Sequence, residues 1–112
     1  MLLVDDEEEF ASTLAERLNM RGIPTRTAFR GEEALQMLES DPPEVVLLDI
    51  MLPGIGGQEV YDRIRLKHPD ITVIFLSGQC APDIDPECGD CLIKPVKIED
   101  LIRKIRSVSD KT

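Results

Sequence analysis

The run "EVVLLDI" (44–50) constrains what this chain can fold into more than any other stretch. It is short, continuous and rich in β-branched residues, a pattern that suits a strand covered on both faces, and it closes on an aspartate. A strand buried on both sides needs helices above and below, so the flanking sequence should alternate strands with amphipathic helices. "MLLV" (1–4) reads as a strand and "EEFASTLAERLNM" (8–20) as a helix, with Phe10, Leu14 and Leu18 at i, i+4, i+8 and Gly22 as its stop. A short strand around "PTRTA" (24–28) precedes a helix over "GEEALQMLES" (31–40), where Ala34, Leu35 and Leu38 mark one face before "DPP" breaks the chain.

Beyond the buried run, "PGIGG" is loop chemistry that leads to a helix over 58–67 and a second buried strand, "ITVIFLS" (71–77). Pro82 and Pro86 leave no helical period between 79 and 89, so this segment is expected to be mostly loop. "CLIK" (91–94) is the last strand. "VKIEDLIRKIRSVS" (96–109) is a helix with Ile98, Leu101, Ile102 and Ile105 on one face. The order predicts an α/β fold: a doubly wound, five-stranded parallel sheet with helices on both faces, because right-handed crossovers return each strand in the same direction. Ligands of such sheets sit outside the carboxyl ends of the strands, at the topological switch point.

Composition narrows the function. At 112 residues one domain, 1–112, is expected, with no repeat or linker, and no apolar run is long enough to span a membrane. Twenty-two acidic against 13 basic residues give a formal charge of −9, which argues against direct nucleic-acid binding and against anionic membrane surfaces. Three cysteines clustered at 80, 88 and 91 cannot staple distant parts of the chain, so a reducing compartment, the cytoplasm, is the expectation.

Polar residues close several apolar strands in turn: Asp5 and Asp6 after the first, Asp49 on the third, Ser77 on the fourth, Lys94 on the fifth. Three carboxylates brought together repel strongly unless a cation joins them, and an all-oxygen set with few ligands suits octahedral Mg2+. A lysine and a hydroxyl at the same mouth supply charge and a donor for the oxygens of a phosphoryl group. There is no Walker P-loop and no G-x-G-x-x-G, so a phosphoryl group carried on an aspartate of the protein itself is the sharper expectation. Asp5 and Asp6 also have a plainer reading, as an acidic turn capping the first helix. Lys94 could likewise be a structural partner of Asp49, and His68 reads as a solvated loop residue.

Together "LLVDDEEEF", "VVLLDIMLPGIGG", "VIFLSG" and "CLIKPVKIEDL" resemble the signature blocks of a CheY-like response regulator receiver domain, in that family's order and nearly its spacing. The resemblance covers essentially the whole chain and implies a flavodoxin-like/CheY-like sheet. It implies that Asp49 is the phosphoacceptor and a metal ligand, that Asp6 binds Mg2+ directly with the Met51 backbone carbonyl while Asp5 reaches it mainly through water, that Ser77 and Lys94 bind the phosphoryl group, and that Met51 and Gln79 tune its lifetime. Pro53 and Gly57 match the turn after the acceptor, and Pro95 a cis-peptide position. The phosphoryl donor implied is a phosphohistidine of a sensor histidine kinase or histidine phosphotransfer protein, and the output is a contact with a downstream protein.

Two departures bear on output. The family's aromatic switch residue, three positions before the lysine, is here Cys91, and the segment between Ser77 and Lys94 is shorter than usual, which predicts a fourth helix that is shortened or missing. Phosphorylation is expected to be kept while readout differs. The alternatives are a phosphorylation-independent interaction domain and a thiol redox sensor using Cys88 and Cys91, and the chain could be a receiver cut from a longer protein.

Overall fold

The alternation is realised as β1 (Leu2–Val4), α1 (Glu8–Met20), β2 (Arg26–Ala28), α2 (Gly31–Ser40), β3 (Val45–Asp49), α3 (Gly57–Lys67), β4 (Thr72–Ser77), β5 (Asp90–Ile93) and α4 (Ile98–Ser109). This computed structural model describes residues 1–50, 52, 54–77, 90–93 and 97–109, apart from the side chains at 77, 90–93 and 107–109. The strands form one parallel sheet in the order β2-β1-β3-β4-β5. The expectation of a shortened or missing helix between β4 and β5 falls on residues 78–89, which lie outside the described residues.

Strand periodicity divides the core into two layers. Val4, Val46, Leu48, Val73 and Phe75 point to one side, where Ala34 and Leu38 of α2 and Val60, Tyr61 and Ile64 of α3 cover them. Leu3, Val45, Leu47, Ile74 and Leu76 point to the other, beneath Ala11, Leu14 and Leu18 of α1 and Leu101, Ile102 and Ile105 of α4. β3, at the centre, is buried at every residue. Each such aliphatic side chain contributes roughly 1.5–3 kcal/mol on burial, so the two-sided run is what holds the centre of the sheet.

The helices follow from the same spacing: Ala11, Leu14, Ala15 and Leu18 are the buried residues of α1, at i, i+3, i+4 and i+7. Glu8 and Glu9 in its first turn and Arg17 in its last complement the helix dipole. No helix among the described residues is long and apolar enough to cross a membrane.

Candidate functional site

Strand order decides what meets at the carboxyl edge of the sheet. β1 and β3 are neighbours with Val4 opposite Leu48, so one step further along the register Asp5 comes opposite Asp49. The chain leaves β1 toward β2 on one side and leaves β3 toward β4 on the other, which makes the β1/β3 boundary the topological switch point. Asp6 follows directly, and carboxylate oxygens of Asp5, Asp6 and Asp49 lie within 4.8 Å of one another.

Burial distinguishes this cluster from ordinary surface acidity. Asp5 is 0% exposed and Asp49 4%, and they are the buried charged residues among those described, whereas Asp6 is open to solvent. Withdrawing two carboxylates from water beside a third is costly unless positive charge and hydrogen bonds offset it. The donor set is all carboxylate oxygen, half enclosed and half open, which fits a small hard divalent cation that keeps part of its water. Asp5, Asp6 and Asp49 could hold it.

Asp5 does not cap α1, whose N-cap Glu7 has no side-chain cap bond; its Oδ1 instead accepts the backbone N–H of Glu7 at 2.9 Å, an Asx turn just ahead of the helix. The Asp5 N–H donates to the Ala28 carbonyl at 3.0 Å, extending the β1–β2 ladder by one bond and fixing the backbone that carries this carboxylate. One residue therefore shapes the turn ahead of α1 and lines the cluster.

On the far side of Asp49, the Ile50 N–H donates to the Leu76 carbonyl at 3.2 Å, and Leu76 pairs with Asp49 in the ladder. Ser77 is the next residue and the last of β4, opposite Ile93 of β5, so its backbone stands at the same edge as the acidic cluster. Its side chain is not among those described, and neither is that of Cys91, whose backbone pairs with Phe75. Lys94, Met51, Pro53, Gln79, Cys80, Cys88 and Pro95 lie outside the described residues. His68 is half-buried at the C-cap of α3, where its N–H donates to the Ile64 carbonyl at 2.7 Å, and it belongs to neither the cluster nor its surroundings.

The loop after Asp49 is held by close backbone approach. Gly57 opens α3 with its N–H on the Ile50 carbonyl at 3.1 Å. A Cβ there would collide with the Asp49 carbonyl and lie 2.7 Å from the Ile50 Cα, so only glycine lets the helix start this close to the acidic strand end. At the tip, Oε1 of Glu32 in α2 accepts the Ile55 N–H at 3.3 Å. Hydrogen bonds from its own N–H and from that of Ile55 hold the Glu32 carboxyl below its ordinary value. Sequence reasoning did not find Glu32, because a charged residue in an exposed first turn is indistinguishable from any other until the loop closes over it.

Comparison with known proteins identifies the family and the fold. The profile of the family described as "Response regulator receiver domain" matches residues 1–106. Among curated proteins, "Response regulator MprA" of Mycobacterium ulcerans is 30% identical over all of this chain and 50% of its own length. "Probable transcriptional regulator ycf27" of Guillardia theta is 39% identical over all of this chain and 46% of its own. The chain thus spans about half the length of these relatives. Among solved structures, a CheY-like receiver domain protein of Methanospirillum hungatei superposes with a TM-score of 0.91 at 25% identity, over 98% of this chain and 92% of its own. TrrA of Thermotoga maritima, solved in complex with Mg2+–BeF, gives 0.87 at 34% identity over 96% of each chain.

Proposed function

Since the chain belongs to the response regulator receiver domain family of two-component systems, we propose that it carries a phosphoryl group on Asp49, taken from a phosphohistidine of a sensor histidine kinase or histidine phosphotransfer protein. The observation that carries this reading is the buried Asp49 carboxylate, 4% exposed, in one cluster with Asp5 and Asp6 at the carboxyl edge of the sheet. An aspartate committed to structure alone would have little reason to share a site with two further carboxylates.

In the transfer, an Asp49 oxygen attacks phosphorus in line, the new O–P bond replaces the P–N bond, and the donor imidazole leaves as its nitrogen regains a proton. Mg2+, when bound, supplies positive charge that draws the acceptor and the phosphoryl oxygens together. Asp5 and Asp6 hold and orient that cation, with the Met51 carbonyl as the further ligand implied by the family resemblance. That the TrrA relative was solved in complex with Mg2+–BeF supports a Mg2+-dependent reading of the cluster.

Lys94 neutralises a phosphoryl oxygen and the Ser77 hydroxyl donates to another; the backbone of Ser77 ends β4 beside the strand that carries Asp49. Hydrolysis later returns the carboxylate, as water attacks phosphorus and the Asp49 oxygen leaves. The chain is then a self-phosphorylating and self-dephosphorylating signalling module, acting in the cytoplasm on a downstream protein or output domain rather than on nucleic acid. The relatives' other half is where such an output would lie.

Incubation with Mg2+ and acetyl phosphate, followed by intact mass measurement, tests this reading. The expected result is one added phosphoryl group, acid-stable and base-labile, on wild type and none on Asp49→Asn. Absence from wild type, or persistence in Asp49→Asn, would refute it.

A further inference from the structure

The tip of the loop between Asp49 and Gly57 touches α2 through two reciprocal close approaches. A Cβ on Gly31 would lie 2.7 Å from Ile55 Cγ1, so the absence of a side chain on α2 is what admits Ile55. A Cβ on Gly54 would lie 2.9 Å from Glu32 Oε1, the far end of a flexible side chain. What requires glycine at position 54 is its φ of +74, a conformation that other residues rarely adopt, and it leaves the Ile55 N–H within 3.3 Å of Glu32. Apolar packing and a carboxylate hydrogen bond thus converge on one residue of the loop.

The same loop begins at Asp49, and its base is closed by the bond from Gly57 to the Ile50 carbonyl. The described ends of this stretch are thus each held by a hydrogen bond, Ile50 to Gly57 at the base and Ile55 to Glu32 at the tip. We propose that Glu32 is a positioning residue for the acidic site: by clamping the Ile55 end of the loop it holds the Asp49 end in the geometry that binds a divalent cation. The proposal rests on the receiver reading and adds to it a residue outside the cluster. The bond is charge-assisted, and it is one of the hydrogen bonds that hold the Glu32 carboxyl below its ordinary value.

The test is a Mg2+ titration of the full chain by calorimetry, with amide hydrogen exchange read at Ile55. Glu32→Ala should weaken Mg2+ binding by about tenfold, the scale of losing a partner that supports a ligand set, and should speed Ile55 exchange while leaving the melting temperature unchanged. Glu32→Gln keeps an oxygen acceptor and loses the charge, so it should bind Mg2+ within about threefold of wild type, as should Glu33→Gln, an equal charge change next door. Glu32→Gln as weak as Glu32→Ala would assign the effect to net charge and overturn the clamp, as would wild-type affinity in Glu32→Ala. Mg2+ binding that responds to Glu32 while no phosphoryl group is taken up would sink the functional reading and leave the clamp standing.

Discussion

Gly56 and Gly57 are adjacent glycines for which the structure demands different outcomes on substitution by alanine, a loss at one and little change at the other. At Gly57 the new Cβ would meet backbone only: it collides with the Asp49 carbonyl and lies 2.7 Å from the Ile50 Cα and 3.0 Å from the Ile50 carbonyl oxygen. Ordinary contacts begin near 3.4 Å, so α3 and the end of β3 must separate by about 1 Å to clear the Asp49 carbonyl, and neither partner can rotate away. Overpacking of this kind costs ~1–3 kcal/mol, and contact with backbone favours the upper half of that range. Alanine's helix propensity returns less than ~1 kcal/mol at a first helical residue, which leaves a loss of about 2 kcal/mol. At ~2.1 cal/mol/K per residue this lowers the melting temperature by about 8 °C.

At Gly56, by contrast, φ is −70 and nothing lies within 4 Å of the added atom. Reduced freedom of the unfolded chain stabilises by ~0.4–1 kcal/mol, while alanine is a poorer N-cap than glycine by a similar amount, so the net change stays within about 0.5 kcal/mol. Thermal and urea unfolding followed by circular dichroism would measure both variants. Equal stability of Gly56→Ala and Gly57→Ala would refute the close-approach account of how Asp49 is held.

Phe75→Leu should cost about 1.5 kcal/mol in urea unfolding, because a side chain 1% exposed loses volume and its ring contact with Tyr61 at 5.2 Å. Glu39 is held below its ordinary value of 4.5, first by the hydrogen bond from Lys67 and then by its charge. A lowered folded-state value gives stability that is present above the unfolded value and lost as pH falls through the folded one. The gap between wild type and Lys67→Met should therefore be widest at neutral pH and close below 4.5 in unfolding measured against pH. Mg2+ at a hundredfold over its dissociation constant should raise the melting temperature by about 11 °C, the equivalent of ~2.7 kcal/mol. Asp5→Asn should melt higher than wild type without Mg2+, since one like charge is gone, and should gain little from the cation; an equal gain in both proteins would count against the cluster as its site.

The central strands were legible because burial on both faces forces a continuous apolar run, and β3 and β4 lie within a residue of the predicted limits. β2 was harder: its burial runs from exposed to buried over Arg26–Ala28, so pairing, not composition, makes it a strand. It starts at Arg26, whose N–H donates to the Met1 carbonyl at 2.9 Å, two residues after the proline that was read as its beginning. Asp5 and Asp49 were legible for a related reason: a carboxylate that closes an apolar strand has to meet something. Glu32 was not, because its partner is the backbone of a loop, which leaves no mark on the residue type.

The aromatic inventory bears on how a signal could leave this site. The chain has one tyrosine and three phenylalanines, and no tryptophan. Tyr61 and Phe75 are buried against each other in the layer under α2 and α3, while Phe10 and Phe29 pack on the opposite layer. All four rings are committed to packing, and the backbone of β5 has Cys91 beside Phe75, where the family's aromatic switch would stand. A cysteine displaces far less volume than a ring, so its movement cannot open or fill a ring-sized pocket. A phosphorylation signal in this chain then has no aromatic to swing at position 91. Among the described residues, the backbone around Asp49 is held by Gly57 at the base of its loop and by Glu32 of α2 at the tip.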